Sequence, residues 1–210
     1  GTLQITRHTV VDDEKTLRTL FDEYVSEGLE GIMCKKMDAV YQAGARNFNW
    51  VKYKRATDKE LDDTLDAIIL GYYLGRGQRA KFGIGAFLVG VKNTDTGKIE
   101  SVAKVGTGLT DEQWASIKDE IDGFKTDTKP AMYEVDDNLA CDVWAKPAVV
   151  VEIAADEITR SPIHKASGSY IKEDETGLAL RFPRFKHIRN DKNIDEATNA
   201  KEVFDMFEQQ

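Results

Sequence analysis

Four runs rich in β-branched and aromatic residues, at 67–74, 84–91, 99–105 and 148–158, stand between turns that carry Gly or Asn, and they commit most of the chain to β-sheet. Between the third and fourth runs, residues 110–121 switch to a helical rhythm, with Thr110 able to cap and Trp114, Ile117 and Ile121 on one face. A closing helix is predicted over 195–208, where Ala197, Ala200, Phe204 and Phe207 line up. Several strands, an inserted helix and glycines where strands must bend predict an α+β, mainly β fold built on a small barrel.

A barrel of that size matches the oligonucleotide/oligosaccharide-binding (OB) architecture. The residues before it do not belong to it. Asp12 or Asp13 can cap a helix whose Leu17, Leu20, Phe21, Tyr24 and Val25 form one apolar stripe, and Gly28 ends it. Residues 29–35 are a short apolar run, and 50–54 alternate with period two. An αββ piece of about 55 residues is too small to build a core of its own. Residues 1–57 therefore read as the terminal portion of a larger domain and 58–210 as the barrel, with the polar stretch 58–63 suited to a hinge.

At 210 residues and a formal net charge of −8, the chain at first argues against an anionic partner. The charge is segregated, however. No acid occurs from Ala67 to Thr94, where Arg76, Arg79, Lys81 and Lys92 lie. Arg46, Lys52, Lys54 and Arg55 are likewise unaccompanied, and Arg181, Arg184, Lys186, Arg189 and Lys192 face a single Asp191. Acids concentrate at 12–30 and 111–142. Such polarity suits an electrostatic footprint on phosphates. No apolar stretch nears the roughly 18 residues of a membrane span, and the first residues lack a secretory leader. Cys34 and Cys141 are far apart without a CxxC, and His8, His164 and His187 are scattered, so no metal-ligand spacing is present. These features fit a reduced, cytoplasmic protein, or a nuclear one in a eukaryote.

Three constellations can carry chemistry. In Trp50-Val51-Lys52-Tyr53-Lys54, a strand would place the two lysines on one face about 7 Å apart, and Arg46 precedes them with a forked phosphate donor; a solvated edge strand would read the same way. Glu30, followed by Gly31, sets a carboxylate at a strand entrance where a divalent ion could use it, although an ordinary turn also carries such a Glu. Residues 181–192 interleave cations with Phe182 and Phe185 around Pro183, as a loop that neutralises phosphates and stacks on bases would. The Gly75-Arg76-Gly77, Gly83-Ile84-Gly85 and Gly106-Thr107-Gly108 runs complete neither GxGxxG nor a P-loop and are better read as barrel bends.

In order, Glu30-Gly31-Ile32-Met33-Cys34-Lys35, Tyr41-Gln42-Ala43-Gly44-Ala45-Arg46 and Trp50-Val51-Lys52-Tyr53-Lys54 resemble the last nucleotide-binding motifs of ATP-dependent DNA ligases. Asp63-Thr64-Leu65-Asp66, Gly75-Arg76-Gly77-Gln78-Arg79-Ala80, Lys104 to Asp111, Ser161-Pro162-Ile163-His164 and Arg181-Phe182-Pro183-Arg184-Phe185 are similar to the OB domain of the archaeal and eukaryotic replicative type. The resemblance implies a C-terminal portion: the end of an adenylation (nucleotidyltransferase) domain plus an OB domain, from an enzyme that seals nicks in replication, repair and recombination through enzyme-AMP and DNA-adenylate intermediates. It implies that Glu30 binds Mg2+ or another divalent cation, that Arg46, Lys52 and Lys54 hold the phosphate of ATP, and that Arg184, Arg189, Asp191 and Lys192 orient its pyrophosphate. It further implies that Arg76, Arg79, Arg181 and Phe182 meet nicked duplex DNA, with Phe182 in the minor groove, and that a sliding clamp could recruit the parent enzyme. The family's nucleophile lies in Lys-x-Asp-Gly, which is absent here; Lys36-Met37-Asp38-Ala39 lacks the Gly and follows the Glu-Gly motif instead of preceding it. The chain alone is thus expected not to adenylate itself. A stand-alone OB module without chemistry, or a fragment of an RNA ligase or capping enzyme, is the alternative.

Overall fold

Asp13 starts the first helix because its carboxylate accepts the Thr16 backbone N–H (2.8 Å) and hydroxyl (2.6 Å), satisfying donors that a helix N-terminus leaves open. The computed structural model describes all residues except 1–7, 27–28, 30, 41, 43–47, 55–60, 62 and 172–175 and the side chains of Val25 and Lys54. It divides into two compact units, Gly1–Asp58 and Lys59–Gln210. In the first, α1 (Glu14–Ser26) is followed by β1 (Gly31–Lys35) and β2 (Trp50–Lys54), which pair antiparallel from Gly31 opposite Lys54 to Lys35 opposite Trp50. Leu17, Leu20, Phe21 and Tyr24 are the half-buried positions of α1, and Phe21 packs its ring 4.4 Å from that of Tyr53. None of the described residues of this unit is fully buried, as expected of a piece with too little area for a core.

The second unit contains β3 (Leu65–Tyr73), β4 (Ala86–Lys92), β5 (Ile99–Val105), α2 (Asp111–Asp122), β6 (Lys125–Thr126), β7 (Tyr133–Glu134), β8 (Val143–Ala145), β9 (Val150–Ala154), β10 (Glu157–Ser161), β11 (Gly177–Arg181), β12 (Arg184–Ile188) and α3 (Ala200–Glu208). The main sheet runs β12-β9-β3-β4-β5-β7, with β8 joining β3 to β6, and β10 pairs with β11. The sheet curls on itself. The Phe185 N–H donates to the Thr107 carbonyl (3.0 Å), bringing β12 back to the end of β5, and the Lys165 and Ala166 N–H groups donate to the Ser101 carbonyl, tying the approach to β11 onto β5. The result is the mainly β, barrel-like α+β fold predicted from the strand pattern.

From Ala67 onward β3 reads as an apolar run because both of its faces are covered. Leu65, Ala67 and Ile69 enter the principal core with Phe87, Val89, Val151 and Ile153, whereas Ile68 and Leu70 enter a second cluster with Leu88, Tyr133, Leu139 and Val150. A bulge between Ile69 and Gly71 returns Tyr72 to the principal core. Gly71 lies where β8 approaches: a Cβ there would sit 2.4 Å from the Val143 carbonyl oxygen. Phe87 anchors the interior, with edge-on contacts to Trp114 of α2 (6.4 Å) and Phe185 of β12 (6.2 Å).

Helix α2 matches its prediction, with Thr110 and Gln113 forming a reciprocal capping box and Trp114, Ile117 and Ile121 buried. Three expectations change. The run 148–158 is two strands, because the chain breaks at Ala155 and Asp156 and re-pairs with β11. The last helix begins at Ala200, not 195, since Asn199 caps it with Glu202 and the preceding residues are held in turns around Asn193. The cationic segment 181–192 is not a loop throughout: it holds β12, whose Phe185 is 4% exposed, so only Phe182 of the two phenylalanines reaches solvent. Among the described residues no helix is long and apolar enough to cross a membrane.

Candidate functional site

An acid at the head of the most apolar strand must find a cation, because a buried carboxylate without a partner is costly. Asp66 of β3 is 9% exposed. Both of its oxygens accept from Arg189 Nη1 (2.8 and 3.0 Å), and Oδ2 also accepts from Lys192 Nζ (2.6 Å). Arg189 Nε and Nη2 donate to the two oxygens of Asp191 (2.9 and 2.7 Å). Three residues singled out from sequence, Arg189, Asp191 and Lys192, thus converge in the turn after β12. The Arg189 hydrogen bonds hold the Asp191 carboxyl well below the usual carboxylate range, and those to Asp191 raise the guanidinium further, so both stay charged. Two cations and two carboxylates make the cluster formally neutral. Donors nevertheless remain: a lysine ammonium has three and Asp66 takes one, while an Arg189 Nη2 hydrogen is left beyond Asp191. Such a site can receive one more anionic oxygen in a fixed geometry.

The β11–β12 turn carries the second group. Phe182 has a left-handed backbone (φ 51°), a conformation that costs a bulky residue roughly 1–2 kcal/mol, and the residue is 62% exposed. The guanidinium of the preceding Arg181 lies 5.2 Å from that ring. Arg184 bonds Asp156 Oδ1 (2.6 Å) and the Phe182 carbonyl (3.1 Å), which ties the turn to the connection between β9 and β10. The turn is therefore held while presenting an aromatic and a cation outward. Beneath it Gly108, at φ 94°, lets the residues after β5 pass under β12; a Cβ there would be 2.5 Å from the Phe185 carbonyl oxygen.

The other candidates are placed separately. Arg76 is exposed at the start of a 3-10 turn, Gly77–Phe82. Arg79, within that turn, is half-buried: its guanidinium lies 5.0 Å from the Trp114 ring and donates to the Gly85 carbonyl (2.7 Å), so it secures the turn to α2. In the first unit Lys52 is exposed opposite Met33, and Lys35 lies 4.2 Å over Trp50. Glu30, Arg46 and the Lys54 side chain lie outside the described residues. Among the described residues no group of three or more His, Cys, Asp or Glu could hold a metal ion. Asp66 belongs to the Asp63-Thr64-Leu65-Asp66 motif, and its sequence signal is that it is the last acid before the acid-free apolar run that starts at Ala67.

Comparison with known proteins converges. The family described as "ATP dependent DNA ligase C terminal region" matches residues 80–192, and "ATP dependent DNA ligase domain" matches residues 1–54. A probable DNA ligase of Dictyoglomus thermophilum is 46% identical over 99% of this chain and 35% of its own length, and a DNA ligase of Hyperthermus butylicus is 39% identical over 100% and 34%. Among solved structures, the ligase domain of M. tuberculosis LigD is 26% identical at a TM-score of 0.48, covering 87% of this chain and 50% of that one. The chain spans about a third of the length of the curated relatives it matches. With a family match across 80–192 and a second across 1–54, on the motifs that carry the exposed aromatic turn and the Arg189 cluster, the chain belongs to the ATP-dependent DNA ligase family.

Proposed function

We propose that this chain is the C-terminal part of an ATP-dependent ligase that seals nicks in duplex DNA, comprising the end of the adenylation domain and an OB domain. The observation that carries the reading is the single segment 181–192, which combines an outward aromatic and cation at Phe182 and Arg181 with the fixed Arg189, Asp191 and Lys192 cluster. Arg189 and Lys192, with Arg184 and Asp191, orient the pyrophosphate of ATP. Lys52, with Arg46 and Lys54, holds the nucleotide phosphate, and Glu30 takes the divalent cation that offsets charge on the phosphate oxygens. Arg76, Arg79 and Arg181 neutralise DNA phosphates, and Phe182 stacks or wedges at the nick. Without a Lys-x-Asp-Gly the chain supplies phosphate positioning and DNA binding but not the nucleophile. The partners are nicked duplex DNA, ATP and a clamp that recruits the parent enzyme, in the cytoplasm of an archaeon or bacterium.

The purified chain is expected to bind nicked duplex with an affinity that falls at least about tenfold when salt rises from about 50 to about 200 mM. Incubated with labelled ATP and magnesium, it should acquire no covalent AMP. Salt-independent binding, no binding at low salt, or an AMP adduct would each overturn the proposal.

A further inference from the structure

We infer that Asp66 is a positioning residue for the nucleotide-orienting cations: it never meets the nucleotide, but sets where Arg189 and Lys192 present their free donors. The inference rests on the phosphate role proposed above for those two residues. Four observations carry it. The carboxylate binds both cations at once, at 2.6 to 3.0 Å, across 123 and 126 positions of sequence. It is buried, so these bonds are little screened by solvent. Its backbone is fixed on both sides, by the pairing of β3 with β9 at Glu152 and by Thr198, which receives the Asp66 N–H on its hydroxyl and donates its own N–H to the Asp66 carbonyl. The cations themselves lie in an irregular turn, joined to the sheet through the Arg189 N–H on the Val150 carbonyl and closed by the Lys192 N–H on the Arg189 carbonyl.

The physical consequence follows from which donors are used. Asp191, two residues from Arg189, moves with the same turn and cannot fix it to the barrel. Asp66 can, because it belongs to the central strand. It also keeps two like charges within one hydrogen-bonding radius of a common anion, which lets Arg189 and Lys192 stay close enough to bind one phosphate group together. With Asn in its place the cations lose their shared anion, repel, and sample other rotamers. A ligand that needs both then binds a rarer arrangement.

The test uses Asp66→Asn, Asp66→Glu and Arg189→Ala in the full-length ligase, measuring formation of the enzyme-AMP adduct and, separately, sealing of a nick that already carries AMP. A third readout, solvent exchange by NMR of the Arg189 Nη1–H and Lys192 Nζ–H protons that Asp66 accepts, is made on the 210-residue chain without nucleotide. For Asp66→Asn the expected result is adduct formation at least about tenfold slower, through a raised KM for ATP, with sealing of the pre-adenylated nick within about twofold of wild type and exchange of the Arg189 Nη1–H and Lys192 Nζ–H protons about tenfold faster. Asp66→Glu should recover part of the adduct rate. Equal loss of both steps by Asp66→Asn would mark a folding role and overturn the inference, as would unchanged adduct formation or unchanged exchange. If Arg189→Ala forms the adduct at the wild-type rate, the phosphate role itself falls; if Arg189→Ala fails while Asp66→Asn does not, only the positioning role of Asp66 falls.

Discussion

Acidification from pH 7 to pH 4 should weaken this fold through His164 more than through any carboxylate it has in common with a His164 variant. His164 is 9% exposed, between Ile163 and the approach to β11; its backbone N–H donates to Ser161 Oγ (3.1 Å), and Nδ1 has no hydrogen-bond partner. Burial pushes its pKa from 6.5 down to about 4, opposed in part by a hydrogen bond involving the Ser101 backbone. Below pH 6.5 the unfolded chain therefore binds a proton that the folded chain refuses, and stability falls with pH until the folded imidazole also protonates near 4. At about 1.4 kcal/mol per pKa unit the loss amounts to ~2 kcal/mol at pH 5 and ~3 kcal/mol at pH 4. Glu100 works in the opposite direction: burial raises its pKa despite hydrogen bonds from Asn93 and the Ser167 N–H, so protonation favours the folded state as pH falls. The raw pH profile mixes the two, and the comparison with His164→Gln separates them. Urea unfolding followed by tryptophan fluorescence at pH 7, 5 and 4 should show the variant gaining ~3 kcal/mol on the wild type over that interval. Parallel profiles within ~0.5 kcal/mol would refute the buried, neutral imidazole.

Two substitutions probe the turn that carries the exposed Phe182. Gly108→Ala places a Cβ 2.5 Å from the Phe185 carbonyl oxygen at φ 94°, and thermal unfolding should show a loss above ~2 kcal/mol, whereas Gly97→Ala, at φ 71° with open space around it, should cost only ~1 kcal/mol. Equal losses would remove the close approach as the cause. Phe182→Gly relieves the left-handed backbone, so stability should hold or rise by up to ~1 kcal/mol while affinity for nicked duplex falls. A destabilised variant that binds DNA as well as wild type would contradict both the strain and the role.

What could be read without coordinates was whatever depends on neighbours in sequence. The capping box at Thr110 and the stripe of Trp114, Ile117 and Ile121 are local, and α2 lies where they predict. The same holds for Asp13 and α1, and for β5, whose bounds match the β-branched-rich run 99–105. Local pattern gives way where it meets a distant partner. Residues 148–158 form one apolar run, yet the chain breaks because Arg184 engages Asp156 and β11 competes for the second half. Phe185 sits among cations in sequence, as Phe182 does, but alternation along β12 turns it onto Phe87.

The candidate site divides in the same way. The residue types in 181–192, and the resemblance of their order to ligase motifs, were visible in the chain itself, because a concentration of forked and point-charge donors is a local property of the sequence. That Arg189 and Lys192 share one buried carboxylate was not, since Asp66 is more than 120 positions away and is brought to them only by the pairing of β3 with β9 and of β9 with β12. Sequence thus determined which groups were available and which local elements carry them. Tertiary structure decided which charges meet, because long-range strand register, unlike a helix stripe or a cap, is set by the competition of all strands for one core.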